Sequence, residues 1–210
     1  MISSLGHGSA TALKDVASVR GGYVGSSAIT TDRSPGGIRA LLARDVGAGS
    51  SVDWESLGYA DPPGGGDQFR IRNGDVLYPL RSARPRAFVV RNAPPDVIAA
   101  GQWALITPHP DRLRPDYLSW FLNHRASAAA FERLMQRGTL PFISLVSLRD
   151  VEVEVPPLAV QDRIIRVTKL HQRVAALESE LARLRVTLID AATLSALRSA
   201  SRSDRTSSHS

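Results

Sequence analysis

From Val167 the chain carries apolar residues at alternating steps of three and four: Val167, Leu170, Val174, Leu177, Leu181, Leu184, Leu188 and Ala191. That spacing keeps side chains on one stripe of a helix and forms the a/d seam of a coiled coil over more than three heptads. A helix over 158–198 is expected, roughly 60 Å long at about 1.5 Å per residue. It cannot bury its own seam, so it needs a partner helix, from another chain or from its own dimer mate, and is expected to be a coiled-coil spacer or dimerisation helix. The Ser/Arg-rich end, 199–210, is expected to be a disordered tail.

The segment before this helix changes character several times between residues 138 and 165. A glycine-led loop becomes the alternating run Val151-Glu152-Val153-Glu154-Val155, which Pro156-Pro157 stop, and Gln161 follows near the helix start. Residues 10–157 therefore form the globular part. Leu13, Val16 and Ala17 suggest a short amphipathic helix over 12–20, and Gly21-Gly22 ends it. A loop to residue 37, a strand over 38–46 and an irregular Pro62-Pro63-Gly64-Gly65-Gly66 stretch come next. Strands are expected over 68–72 and 75–80 around an Asn73-Gly74 hairpin turn, then over 87–91 and 99–107. Pro115 suits the first position of a helix over 116–123, and a second helix over 127–137 would stop at Gly138. Strands and helices mix without βαβ periodicity. The expected class is α+β, with a mainly antiparallel, curled sheet, followed by one long coiled-coil helix.

The charge is uneven. Lysine and arginine total 26 and acids 20, and only Lys14 and Lys169 are lysines. Residues 70–91 hold Arg70, Arg72, Arg81, Arg84, Arg86 and Arg91 against Asp75 alone, whereas residues 1–157 together hold seventeen basic and fifteen acidic residues. A basic patch on a nearly neutral domain points to a phosphate-facing surface. Arginine's planar fork clamps phosphate or reads guanine in the major groove. Arg81, Arg84 and Arg86 form the densest candidate loop, with Arg70 and Arg72 on one strand face. Arg137 and Thr139 flank Gly138, where a backbone amide and a hydroxyl would hold a phosphate. Solvated surface arginines and an ordinary helix C-cap are the plainer alternatives, and Tyr78 is more simply a core aromatic than a stacking wedge.

Catalytic patterns are missing. Asp61-Pro62-Pro63 lacks the following aromatic of an amino-methyltransferase motif, and Gly64-Gly65-Gly66-Asp67-Gln68 lacks the Lys-Ser/Thr pair of a phosphate-binding loop. The five histidines have no ligand-like spacing, so no metal and no cofactor are expected. With no cysteine, disulfides and thiolate metal sites are excluded. No apolar run reaches the roughly 20 residues of a membrane span, and the N-terminus lacks a signal-peptide pattern. A cytoplasmic location is expected.

The order of features resembles the specificity (S) subunit of type I restriction-modification systems. Leu13-Lys14-Asp15-Val16-Ala17 is similar to the opening of a target-recognition domain. Arg72-Asn73-Gly74-Asp75-Val76-Leu77 is similar to its glycine-Asp-Ile/Val-Leu strand entry, and Asp116-Tyr117-Leu118-Ser119-Trp120-Phe121-Leu122 to its tyrosine-leucine helix. The most specific match is Gly138-Thr139, Ile143, Leu148 and Val155-Pro156-Pro157-Leu158-Ala159-Val160-Gln161-Asp162-Arg163-Ile164, its closing signature. The sequence holds one such unit where a full S subunit has two, and Arg81-Ser82-Ala83-Arg84-Pro85-Arg86 stands where the family often has glycines. The resemblance implies a half-size, non-catalytic chain that reads one half of a bipartite double-stranded DNA site. It further implies docking to a DNA adenine methyltransferase subunit and a restriction/translocase subunit, and antiparallel pairing of the long helices. The flanking charges instead match a parallel pair, Arg173 with Glu178 and Glu180 with Arg185, and an antiparallel pair gains only part of that. The competing class is an interaction adaptor that binds such partners or regulates a full-length S subunit without reading DNA.

Overall fold

The computed structural model describes the chain except residues 1–8, 26–28, 31–36, 48–49, 125–126, 128–130, 132, 137–140 and 208–210, and leaves the side chains of Ser9 and 195–207 undescribed. The chain forms two compact units, Met1–Ile165 and Arg166–Ser210. In the first unit, the elements in order are β1 (Ser9–Ala12), α1 (Leu13–Val16), β2 (Ala17–Gly21), β3 (Ile38–Leu41), β4 (Tyr59–Ala60), β5 (Val76–Pro79), β6 (Phe88–Val89), β7 (Val97–Ala99), β8 (Trp103–Pro108), α2 (Pro115–Asn123), α3 (Leu145–Arg149) and β9 (Glu152–Val155). Helix α4 (Leu158–Ser207) begins in this unit and makes up the second. The α+β class holds. Every pairing between these strands is antiparallel except β3 with β7.

A four-stranded sheet, β2-β8-β5-β6, is central, with a three-stranded sheet β4-β3-β7 and the pair β1-β9 around it. Alternation sends Val76 and Tyr78 of β5, with Ala104 and Ile106 of β8, into one apolar cluster. Leu77 and Leu105 go into the other, with Trp103 and Phe88. Both faces of the central sheet are therefore covered, and β5 is buried along its whole length. The first cluster also takes Tyr117, Leu118 and Leu122 of α2, so this helix lies on one face of the sheet.

Several expectations need correction. The helix expected over 12–20 is one turn, because Ala17 and Val19 alternate with exposed Ser18 and pair as a strand with β8. A single turn has little stability of its own, so sheet pairing prevails. Residues 68–72 are not a strand. Pro63–Phe69 coil through three glycines with φ of 68°, 78° and 67°, and Arg70 makes one bridge to Ile98. Consequently β5 pairs with β6 and β8 rather than folding back at Asn73-Gly74. The strand over 99–107 breaks at Gly101, φ 89°, into β7 and β8. The strand over 38–46 ends at Leu41, where a turn at Ala43–Asp45 is held by the Asp45 carboxylate accepting the Leu42 N–H at 2.8 Å. Much of the helix expected over 127–137 lies outside the described residues.

The α2 and β9 expectations hold, with Pro115 opening its helix. Helix α4 runs past Arg198 to Ser207. Of the expected tail, 199–207 continue the helix, with no glycine or proline from 158 onward to break it, and 208–210 lie outside the described residues.

Candidate nucleic-acid interface

The turn into β5 is built by Asp75. Its carboxylate is 1% exposed, accepts the Arg72 N–H at 2.8 Å and the Thr107 hydroxyl at 2.6 Å, and lies 3.9 Å from the Arg20 guanidinium. Gly74, with φ 93°, supplies the backbone that brings Asp75 inward. The Gly-Asp-Val-Leu stretch is thus an internal latch for the central sheet. Tyr78 is core: it is 2% exposed, its ring stacks 5.5 Å from that of Phe131, and burial pushes its phenol up to about 12.

The six arginines of 70–91 separate into two kinds. Arg70 is committed internally, its Nε donating to Asp67 at 2.6 Å and a terminal nitrogen to the Pro95 carbonyl at 2.8 Å. It shares no strand face with Arg72, since neither residue lies in a strand. Arg91 is bound to Asp116 at 2.6 Å. Arg81 donates to the Gln102 side chain at 3.1 Å and stands 5.4 Å from the Phe142 ring centroid. Arg72, Arg84 and Arg86 are exposed, and their guanidinium groups meet no acceptor among the described residues.

Arg84 and Arg86 sit on the β5–β6 connection. Arg72 lies before the opposite end of β5. The connection is held at both roots. Leu80 donates to the Gln102 carbonyl at 2.8 Å and accepts from Ile143 at 2.9 Å, and Ser82 donates to the Pro141 carbonyl at 3.3 Å. At the far root Asn123 grips Ala87 through both backbone groups. Asn123 and Gln102 escaped sequence reasoning, because a lone amide on a helix end or in a loop has no motif to mark it. Arg137 and Thr139 lie outside the described residues.

At the other side of this unit, Gln161 is 0% exposed at the start of α4. Its Oε1 accepts the Arg114 N–H at 2.8 Å, and its Nε2 donates to the Arg112 and Pro156 carbonyls, each at 2.8 Å. Tyr117 donates its hydroxyl to the Glu154 carbonyl at 2.8 Å, and burial, helped by the Glu154 charge, pushes its phenol up to about 12. The first turns of α4, α2 and β9 are therefore locked together by the residues of the closing signature and the tyrosine-leucine segment. In the second unit, the seven large seam residues Val167 to Leu188 are between 49% and 70% exposed, and Ala191 is also exposed.

Among the described residues no group of three or more histidine, aspartate or glutamate residues could hold a metal, and no helix is long and apolar enough to cross a membrane. No protein-family model and no curated protein matches the chain. Solved structures do. The HsdS subunit from Thermoanaerobacter tengcongensis superposes with a TM-score of 0.61 at 22% identity, covering 84% of this chain and 40% of that one. A chain from work on complex assembly and conformational transition of the type I R-M system gives 0.58 at 21% identity, covering 87% and 43%. The type I restriction-modification S subunit from M. genitalium gives 0.51 at 12% identity, covering 82% and 41%. The chain spans about 40% of the length of these structures. It has the fold of a type I restriction-modification S subunit over that length.

Proposed function

We propose that this chain is a half-size specificity subunit of a type I restriction-modification system, reading one half of a bipartite double-stranded DNA site and performing no chemistry itself. The observation that carries the reading is the free arginine loop, Arg84 and Arg86, on an S-subunit fold. Arginines that find no acceptor among the described residues are available to phosphate oxygens or guanine edges. In this reading a DNA adenine methyltransferase subunit and a restriction/translocase subunit dock on the assembled chain, and α4 is both spacer and dimerisation element.

The seam supports self-association. Its positions are symmetric about Ser179: 167 with 191, 170 with 188, 174 with 184, and 177 with 181. An antiparallel second copy therefore sets every seam residue opposite another. Glu178 and Glu180 then approach their own copies, but exposed charge pairs weigh only about 0–1 kcal/mol each. Burial of the seam, about 1–2 kcal/mol per well-packed residue, outweighs them.

The test is DNA binding by the full chain across a salt series. Arg84→Ala with Arg86→Ala should weaken binding and lower the slope of log affinity against log salt by about 1–2, at about 0.9 per phosphate contact. An unchanged slope removes this loop from the interface. The adaptor reading has one observation in its favour: Arg70 and Arg91 spend their charge on Asp67 and Asp116, leaving a smaller free patch than the sequence suggests. It predicts methyltransferase binding with no DNA binding.

A further inference from the structure

The following rests on the DNA-reading proposal: we propose that Asn123 is a positioning residue that presents Arg84 and Arg86 to DNA. Strand β6 is the edge of the four-stranded sheet, so among the described residues no further strand supports the residue that leads into it. Asn123, the last residue of α2, fills that role. Its Oδ1 accepts the Ala87 N–H at 2.8 Å and its Nδ2 donates to the Ala87 carbonyl at 2.8 Å, as a neighbouring strand would. Ser119, one turn earlier, donates to the same carbonyl at 3.1 Å. With Leu80–Ser82 tied at the other root, the span between the roots is Ala83-Arg84-Pro85-Arg86, within which the Arg84 N–H donates to the Ser82 hydroxyl at 3.2 Å. Pro85 has a fixed φ and biases Arg84 to extended backbone. The loop is short, pinned at both ends and stiff in its middle, while its two arginines stay exposed.

Preorganisation of this kind removes the ordering cost that a mobile loop meets on binding. Asn123 touches no DNA in this scheme; it acts through the loop. Asn123→Ala leaves all the charge in place and frees the Ala87 root. Affinity for a labelled mixed-sequence DNA duplex at fixed salt should fall about tenfold, with the salt slope retained. The decisive comparison is a cycle: in the Arg84→Ala, Arg86→Ala background, Asn123→Ala should cost nothing further. Ser119→Ala, run through the same cycle, repeats the test with a milder variant should Asn123→Ala unfold, which tryptophan fluorescence would report. Equal losses in both backgrounds would overturn the positioning role and leave DNA reading intact. A double arginine variant that binds like wild type would sink both.

Discussion

Gln161→Leu is the sharpest perturbation of the fold, because one buried side chain holds three backbone groups. The replacement keeps roughly the volume and removes all three hydrogen bonds. It strands the Arg114 N–H and the Arg112 and Pro156 carbonyls away from their partner. At about 1 kcal/mol net for each bond, the loss is about 3 kcal/mol. For a chain of this size that lowers the melting temperature by about 6–12 °C. Trp54, Trp103 and Trp120 all precede α4, so tryptophan fluorescence in a urea titration reads the first unit alone. Gln161→Glu sharpens the sign. An ionised carboxylate still accepts from Arg114 but faces two carbonyls it cannot satisfy, so burial raises its folded pKa above the ordinary value of about 4.3. This variant is then most stable in acid and loses stability as pH rises through that raised pKa. A Gln161→Leu midpoint within about 0.5 kcal/mol of wild type would refute the lock.

Two other predictions follow from burial and from the seam. Tyr78 and Tyr117 are pushed up to about 12, against an ordinary value of about 10. The folded chain holds their protons where the unfolded chain releases them. Stability should therefore fall between pH about 10 and 12, by at most about 1.4 kcal/mol per pH unit for each phenol. In an alkaline absorbance titration the Tyr78 and Tyr117 phenols should ionise late, and their ionising near the ordinary value of about 10 would contradict this. Light scattering should give twice the 22.6 kDa chain mass, and Leu177→Glu should return it to one chain. With no native cysteine to confuse the reading, Leu177→Cys mixed with Leu181→Cys should cross-link across an antiparallel pair. Either variant cross-linking efficiently alone would instead indicate a parallel pair.

The parts of the fold legible in the sequence were those with local causes. The heptads, Pro115 at the head of α2, and the alternation and proline stop of β9 each act within a few residues. The central sheet was harder. Buried on both faces, β5 shows no alternation, and Gln68-Phe69-Arg70-Ile71-Arg72 alternates without being a strand because three left-handed glycines direct the chain elsewhere. At the candidate site, the arginine cluster was visible but its division was not. Whether an arginine is free depends on Asp116, Pro95 or Gln102, which lie 25, 25 and 21 residues away from Arg91, Arg70 and Arg81. Gln161 stands out in the sequence by its place after two prolines. Nothing local to Asn123 shows that its amide pairs with Ala87 at the edge of the sheet, 36 residues away.

As proposed, this chain reads DNA sequence rather than merely binding charge. Selecting duplexes from a random-sequence pool with the full chain, at a salt concentration that suppresses non-specific binding, tests it most directly. Enrichment of an interrupted, symmetric motif is expected, with loss of that enrichment in the Arg84→Ala, Arg86→Ala variant. Retention of duplexes with no enriched motif, or no retention of DNA at all, would contradict it.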